Sequence, residues 1–372
     1  MTASSAGRAA PHSAPATAKE FFETREVPRA AFIAAHLSDA GAPMAIGEDW
    51  GTRRYFRVGA GDRSFILMES VPDHLPFAAP GHKISDFIRI AAALRVAGLH
   101  APEIIAADER EGYVLLEDMG DVSFYAAIEQ SGDERGLYML AADVLHHAGD
   151  VFTANSLGLP LYRDTHVHKG RRRVIDWYAP LVRGSVNPDG MAEEYLSVWD
   201  AIEKQLPPAR EGFVHGDYHV QNLMWCDAGR DLTRCGILDF QGAMWGPLAY
   251  DLANLLGDIR RDVPDDIAAD ALARRTDGMD RDDKDAFSAW LGVLMMQFHC
   301  RVVGQVIRLA TVSGKPAHLR HMPRIQRQIN DGLKNPALAP LAAWFATEKI
   351  TFDVPPVCDD AAIKSLIRPD AF

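Results

Sequence analysis

Asp217 and Asn222 stand five positions apart in the run His215-Gly216-Asp217-Tyr218-His219-Val220-Gln221-Asn222, and Asp239 closes a second apolar run, Gly236-Ile237-Leu238. Phosphoryl transfer needs one carboxylate to orient an acceptor hydroxyl and take its proton, and oxygen ligands for a divalent cation that bridges the phosphates. An Asp followed five residues later by Asn, and then by an Asp at the end of an apolar strand, is the order in which kinases carry those groups. Taken singly, each residue reads as a cap, a turn or a surface carboxylate. Their ordered combination points to ATP as phosphoryl donor and Mg2+ held by Asn222 and Asp239, with Asp217 at the acceptor. His219 and Gln241 flank these positions and are candidates for lining the acceptor pocket, as are Trp177 and Tyr178 beside the basic run Arg171-Arg172-Arg173. For Trp177 and Tyr178 the alternative is burial in a core.

Such groups must be held by a scaffold, and the sequence divides into two stretches of different pattern. Tyr55 to Val58 and Ser64 to Glu69 are β-prone runs separated by Gly59 to Arg63, the composition of a hairpin. Ile84, Phe87, Ile90, Ala91 and Leu94 recur at helical spacing over 83–97, and Gly98 ends the pattern as a C-terminal cap. Gly112 to Leu116 reads as a further strand, closed by Glu117-Asp118-Met119-Gly120. Beyond it, long helical periodicities take over, such as Leu137, Leu140, Val144, Ala148 and Val151. The expected fold class is α+β and two-lobed: an N-terminal antiparallel sheet with a helix, and a mainly helical C-terminal lobe. The expected division is a disordered tail over 1–19, a nucleotide-binding lobe over 20–117 and a catalytic and substrate-binding lobe over 118–372.

His215-Gly216-Asp217, Asn222, Leu238-Asp239-Phe240, Gly246-Pro247 and Tyr250-Asp251-Leu252-Ala253 together resemble the aminoglycoside phosphotransferase family. Further blocks, GTRRYFRV from Gly51, LLEDMGD from Leu115, VHGDYHVQNLMW from Val214, ILDFQGAMWGPLAYDLANLL from Ile237 and SGKPAHL from Ser313, are similar to its bacterial N-acetylmuramate/N-acetylglucosamine anomeric kinases of cell-wall recycling. The resemblance implies a protein-kinase-like fold with Mg-ATP between the lobes and phosphorylation of a sugar hydroxyl at C1. It also implies Asp217 as base, Asn222 and Asp239 as magnesium ligands, and His215 as a structural member of the loop braced by a buried Asp251. Glu117 and Met119 would form the backbone hinge for adenine.

The N-terminal half departs from the usual kinase pattern. A lysine on the third strand ordinarily contacts phosphates and pairs with a helix Glu, but the stretch here is Phe65-Ile66-Leu67-Met68 and 83–97 contains no Glu. Met68 occupies the lysine's place. Arg54 and Arg57, with Arg53, are candidates for replacing it at the phosphates, since a guanidinium suits phosphate oxygens; solvated or sheet-surface roles are the alternative. The same departure leaves open a nucleotide-binding pseudokinase or regulatory module. The alternation His215, Asp217, His219 leaves open a metal-dependent hydrolase.

Composition narrows the partners. A formal charge of −12, from 39 basic and 51 acidic residues in 372, opposes the phosphate attraction of non-specific nucleic-acid binding, so no nucleic-acid partner is expected. The four cysteines lack metal-site or disulfide spacing and suit a cytoplasmic protein. The apolar stretch Ala286 to Thr311 is interrupted by Gln297, His299, Arg301, Gln305 and Arg308, and reads as a core helix rather than a bilayer span. A small molecule, an amino sugar or similar alcohol, is the expected partner, with no membrane association.

Overall fold

The structure is a computed structural model, and residues 17–48, 53–78 and 83–371 are described. The chain divides into two compact units, one formed by residues up to Ala93 with Pro102–Met119, the other by Leu94–Ala101 with Gly120–Phe372. Most of the expected tail, 1–16, lies outside the described residues. Its end is ordered, because Thr17 accepts the N–H of Glu20 and caps helix α1 (Ala18–Glu23).

The first unit is a five-stranded antiparallel sheet in the order β1-β2-β3-β5-β4. Its strands are β1 (Met44–Glu48), β2 (Arg53–Ala60), β3 (Arg63–Ser70), β4 (Ile104–Asp108) and β5 (Tyr113–Glu117), and its helices are α1, α2 (Glu26–His36) and the start of α3 (Ile84–Val96). The β2–β3 hairpin turns at Gly61, whose φ of 62° favours glycine. Register sorts the side chains by face. Phe56, Val58, Phe65, Leu67, Tyr113 and Leu115 pack with Phe32 and Ile33 of α2. Opposite partners share a face, so Arg54↔Glu69 belongs with that helix, while Tyr55↔Met68, Arg57↔Ile66 and Arg53↔Ser70 belong to the other.

The second unit is mainly helical. α4 (Phe124–Ser131) and α5 (Glu134–Val151) lead through two short turns, α6 (His166–Lys169) and α7 (Ala179–Arg183), to α8 (Met191–Gln205). Two small antiparallel ribbons follow: β6 (Glu211–Val214) pairs β9 (Met244–Pro247), and β7 (Leu223–Trp225) pairs β8 (Cys235–Ile237). Then come α9 (Ala249–Leu256), α10 (Asp265–Arg275), α11 (Arg281–Thr311) and α12 (Met322–Gly332). α11 is long and apolar enough to cross a membrane by length and composition, yet 61% of its most apolar window is buried within the fold. It packs with Val174, Tyr195, Trp199 and Ile325 as a core helix.

Candidate active site

The loop His215–Asn222 joins β6 to β7, and its conformation is dictated from α9. Asp251, 2% exposed, accepts the backbone N–H of His215 at 2.6 Å and of Gly216 at 2.9 Å. One turn on, Asn254 donates to the Gly216 carbonyl at 3.3 Å. These bonds hold Gly216 at φ 90°, where a Cβ would also stand 3.3 Å from the Gly242 carbonyl oxygen, so glycine is required. Burial pushes the Asp251 carboxyl up, against the opposing pull of the two backbone N–H groups. On the other side, the Tyr218 hydroxyl donates to the Ala141 carbonyl of α5 at 3.0 Å.

His215 is structural. Its Nδ1 accepts the Asp217 N–H at 3.2 Å, which places the ring proton on Nε2, 2.8 Å from the Leu238 carbonyl. With both ring nitrogens engaged, His215 has no lone pair for a metal, and this geometry removes the His215-Asp217-His219 cluster of a metal-dependent hydrolase.

Asp217 emerges from this frame with a side chain 48% exposed. Partial burial works against its ionisation, but His219, whose Nε2 lies 3.5 Å from Oδ2, and the guanidiniums of Arg260 and Arg301 hold the carboxyl well below the usual carboxylate range. The Asn222 amide donates to the Asp217 backbone carbonyl at 2.9 Å and to its carboxylate at 3.3 Å, leaving Oδ1 as the outward acceptor. Leu238 N–H donates to the Asn222 carbonyl at 2.9 Å beside the Leu223↔Ile237 pair, so Asn222 and Asp239 stand at one end of the β7–β8 ribbon. Asp239 adopts φ 61°, a left-handed conformation that short polar residues tolerate, and the Gln241 amide donates to its Oδ1. One amide oxygen and one carboxylate are hard donors of the kind Mg2+ takes while keeping other positions for water and phosphate; the donor set fits that ion.

A sequence model of the phosphotransferase enzyme family matches residues 44–285. The chain belongs to that family. Among its relatives, the N-acetylmuramate/N-acetylglucosamine kinase of Caulobacter vibrioides is 30% identical over 86% of this chain and 96% of its own, and that of Pseudomonas aeruginosa PAO1 is 28% identical over 80% and 86%. Among solved structures, a choline/ethanolamine kinase family protein from Mesorhizobium loti superposes with a TM-score of 0.55 at 13% identity, covering 88% of this chain and 98% of its own. Aminoglycoside 2'-phosphotransferase-IIIa gives 0.51 at 14% identity, with 87% and 99% covered. These two show the kinase-like fold.

The structure of this phosphotransferase sorts the remaining expected residues. His219 is buried with Nδ1 accepting the Gln221 N–H at 3.3 Å, and its ring faces Asp217. Trp177 and Tyr178 are 1% and 0% exposed in the helical core, where the Tyr178 hydroxyl bonds the Thr351 carbonyl; having no free face, they do not line a pocket, and the expectation is corrected. Met68 is likewise wholly buried, between Tyr55 and Val114, so it is a core residue and not a cofactor contact. Arg54 is also corrected: it lies on the α2 face, donating to the Phe22 carbonyl with its guanidinium 4.6 Å from the Phe22 ring.

Arg57 lies on the opposite face, but Asp118 grips it through two bonds of 2.6 and 3.0 Å. At the expected hinge, the Glu117 N–H donates to the Glu103 carbonyl at 2.9 Å, so that amide is not available to a base. Met119, two residues past β5 and partly exposed, keeps the hinge role open. Gly51 and Thr52, which open the GTRRYFRV block, lie outside the described residues.

Sequence reasoning missed a strand–helix ion pair of the first unit, on the α2 face and on the side opposite Met68. Glu69 on β3, 0% exposed, pairs with Arg25 at 3.4 Å and with Arg29 of α2 at 3.2 Å. It also missed Asn254, for which the three-residue spacing from Asp251 on a helix was the available signal.

Proposed function

We propose that this phosphotransferase moves the γ-phosphoryl group of ATP to a hydroxyl of an N-acetylated amino sugar, at C1 of N-acetylmuramate or N-acetylglucosamine. The observation that carries the reading is the Asp217–Asn222 arrangement: a half-exposed carboxylate, fixed from behind by Asp251 and from the side by the Asn222 amide. The acceptor identity rests on the relatives' names.

Asn222 Oδ1 and the Asp239 carboxylate would hold Mg2+, which supplies neutralisation of phosphate charge. Asp217 accepts the hydrogen bond of the acceptor hydroxyl and points its oxygen lone pair toward the phosphorus, with positioning contributing most of the rate. A carboxylate held so far toward its ionised form is a weak base. That suits an anomeric hydroxyl, more acidic than an ordinary alcohol, whose proton passes to Asp217 as the new P–O bond forms and the bond to ADP breaks.

The test is ATP consumption with each amino sugar, with the product read by 31P NMR for an acid-labile anomeric phosphate. Turnover on neither sugar, with turnover on choline-like alcohols or aminoglycosides, would replace this reading. ATP binding with no turnover on any acceptor would favour a regulatory nucleotide-binding module.

A further inference from the structure

α11 is buried along most of its 31 residues, yet Gln297, Arg301, Gln305 and Arg308 recur at intervals of four, four and three and so share one face. Gln297 is fully engaged, accepting from Tyr162 at 2.7 Å and donating to Glu203 at 2.8 Å. Further along, the stripe changes character. The Arg301 Nε and the Gln305 Oε1 are buried with no hydrogen-bond partner. Buried polar atoms are rarely left so in a native fold, and each calls for an explanation.

A third arginine faces the same place. Gly170 makes room for it: a Cβ there would stand 3.0 Å from Arg301 Cδ and 3.2 Å from Arg173 Nη1. Gly304 lets the two elements close, since its Cβ would strike the Arg173 backbone carbonyl. Among the described residues, Arg173, Arg301 and Arg308 form no ion pair, whereas Arg172 is held by Asp176 and Arg171 lies 3.6 Å from Asp200. Burial, followed by the like charges of Arg301 and Arg308, pulls Arg173 down to about 10. Asp176 offsets only part of this at Arg173; three guanidiniums gathered without a salt-bridge partner repel one another, and an anion among them would relieve that repulsion. The gathering adjoins the catalytic loop, because the charge of Arg301 is among those felt by Asp217 and by Tyr250 of α9.

We infer that Arg173, Arg301 and Arg308 form a carboxylate-receiving subsite of the acceptor site, so that the enzyme selects an acidic amino sugar over its neutral counterpart. The inference rests on the amino-sugar reading above. N-acetylmuramate carries such a carboxylate on its lactyl ether, and N-acetylglucosamine does not.

The test compares kcat/KM for the two sugars in the wild type, Arg301→Gln, Arg308→Gln and the Arg173→Gln/Arg301→Gln pair. The ratio of acidic to neutral acceptor should fall about tenfold for one lost charge-assisted bond, and further in the double variant. Equal losses on both sugars, or a rise in KM for ATP common to both, would overturn the assignment and place the anion on the nucleotide. Arg308→Gln decides the matter if Arg301→Gln does not fold. Calorimetric titration of the ATP-free protein with N-acetylmuramate and with N-acetylglucosamine adds an arm that needs no turnover. Failure of phosphorylation with retained, arginine-dependent preference for the acid would sink the proposed reaction alone; absence of that preference would sink the subsite.

Discussion

The catalytic loop of the second unit and the sheet of the first use charge in opposite ways. Around Asp217, Asp251 and His215 are buried and hydrogen-bonded to the loop while the acting carboxylate stays half exposed. In the sheet, the conspicuous charges are tied off: Glu69 by Arg25 and Arg29, Arg57 by Asp118. Charge in the sheet builds the scaffold, whereas at the catalytic loop the acting carboxylate is left available for chemistry. Substitutions should therefore separate: activity falls without loss of fold at Asp217, and fold falls first in the sheet.

The largest effect is expected from Asp217→Asn, which removes the acceptor of the hydroxyl proton and should lower kcat by about a thousandfold, within the range for a lost general base. ATP affinity should hardly move, and the protein should still fold, with a modest fall in melting temperature because the ionised carboxylate contributes stability. Its pH behaviour follows from the same contacts. A carboxyl whose folded pKa is depressed contributes stability above its unfolded value, lost only as pH falls through the folded value, so Asp217 should stay ionised and impose no acid limb on kcat/KM down to about pH 4. His219→Gln removes the leading charge partner and should bring that limb up toward the ordinary value of 3.8. A wild-type limb near neutrality that Asp217→Asn abolishes would break the argument.

Next comes Glu69→Ala, which leaves Arg29 facing a buried void without its carboxylate and Arg25 with only the exposed Glu111. Removing one partner of a buried pair costs about 3–5 kcal/mol, and denaturant unfolding should show it. Asp251→Asn is expected to cost less, about 2–3 kcal/mol, because the shape is kept while an amide N–H replaces one of the two acceptors for His215 and Gly216. It should lower turnover as well, since the loop it holds carries Asp217. An Asp251→Asn enzyme that unfolds readily but turns over normally once folded would show that α9 stabilises the loop without positioning it.

These contrasts also explain what was legible in the amino-acid sequence. The catalytic run could be read because its partners are close in sequence: Asn222 bonds a residue five positions back, and Asp239 follows across one short ribbon. Helix α3 and the β2–β3 hairpin emerged close to their expected ends because local periodicity and a glycine turn decide them. The pairings of the sheet could not be read, since Arg25 meets Glu69 across 44 positions and Arg57 meets Asp118 across 61. Nothing local distinguishes Arg54 from Arg57 either; a strand sends neighbours at odd separation to opposite faces, and only the register says which face lies against α2. Trp177 and Tyr178 misled because an aromatic pair beside arginines has the same composition in a sugar site and in a core.

The smallest effect, and the sharpest question about the comparison, belongs to Arg57 and Asp118. Their side chains are 20% and 5% exposed, the contact is bidentate, and Ser64 adds a third bond to the carboxylate at 2.6 Å. If the pair is scaffold, Arg57→Ala should cost more stability than Asp118→Ala, because it strands the more deeply buried charge. The double variant should recover part of the loss, with a coupling of about 1 kcal/mol. KM for ATP should then change little in either single variant. If Arg57 instead serves the phosphates, Arg57→Ala should raise KM for ATP severalfold while Asp118→Ala, which frees the guanidinium, lowers it. Opposite signs at the two positions would move Arg57 from the scaffold to the substrate, and the division of labour between the two units would then hold for Glu69 but fail for this pair.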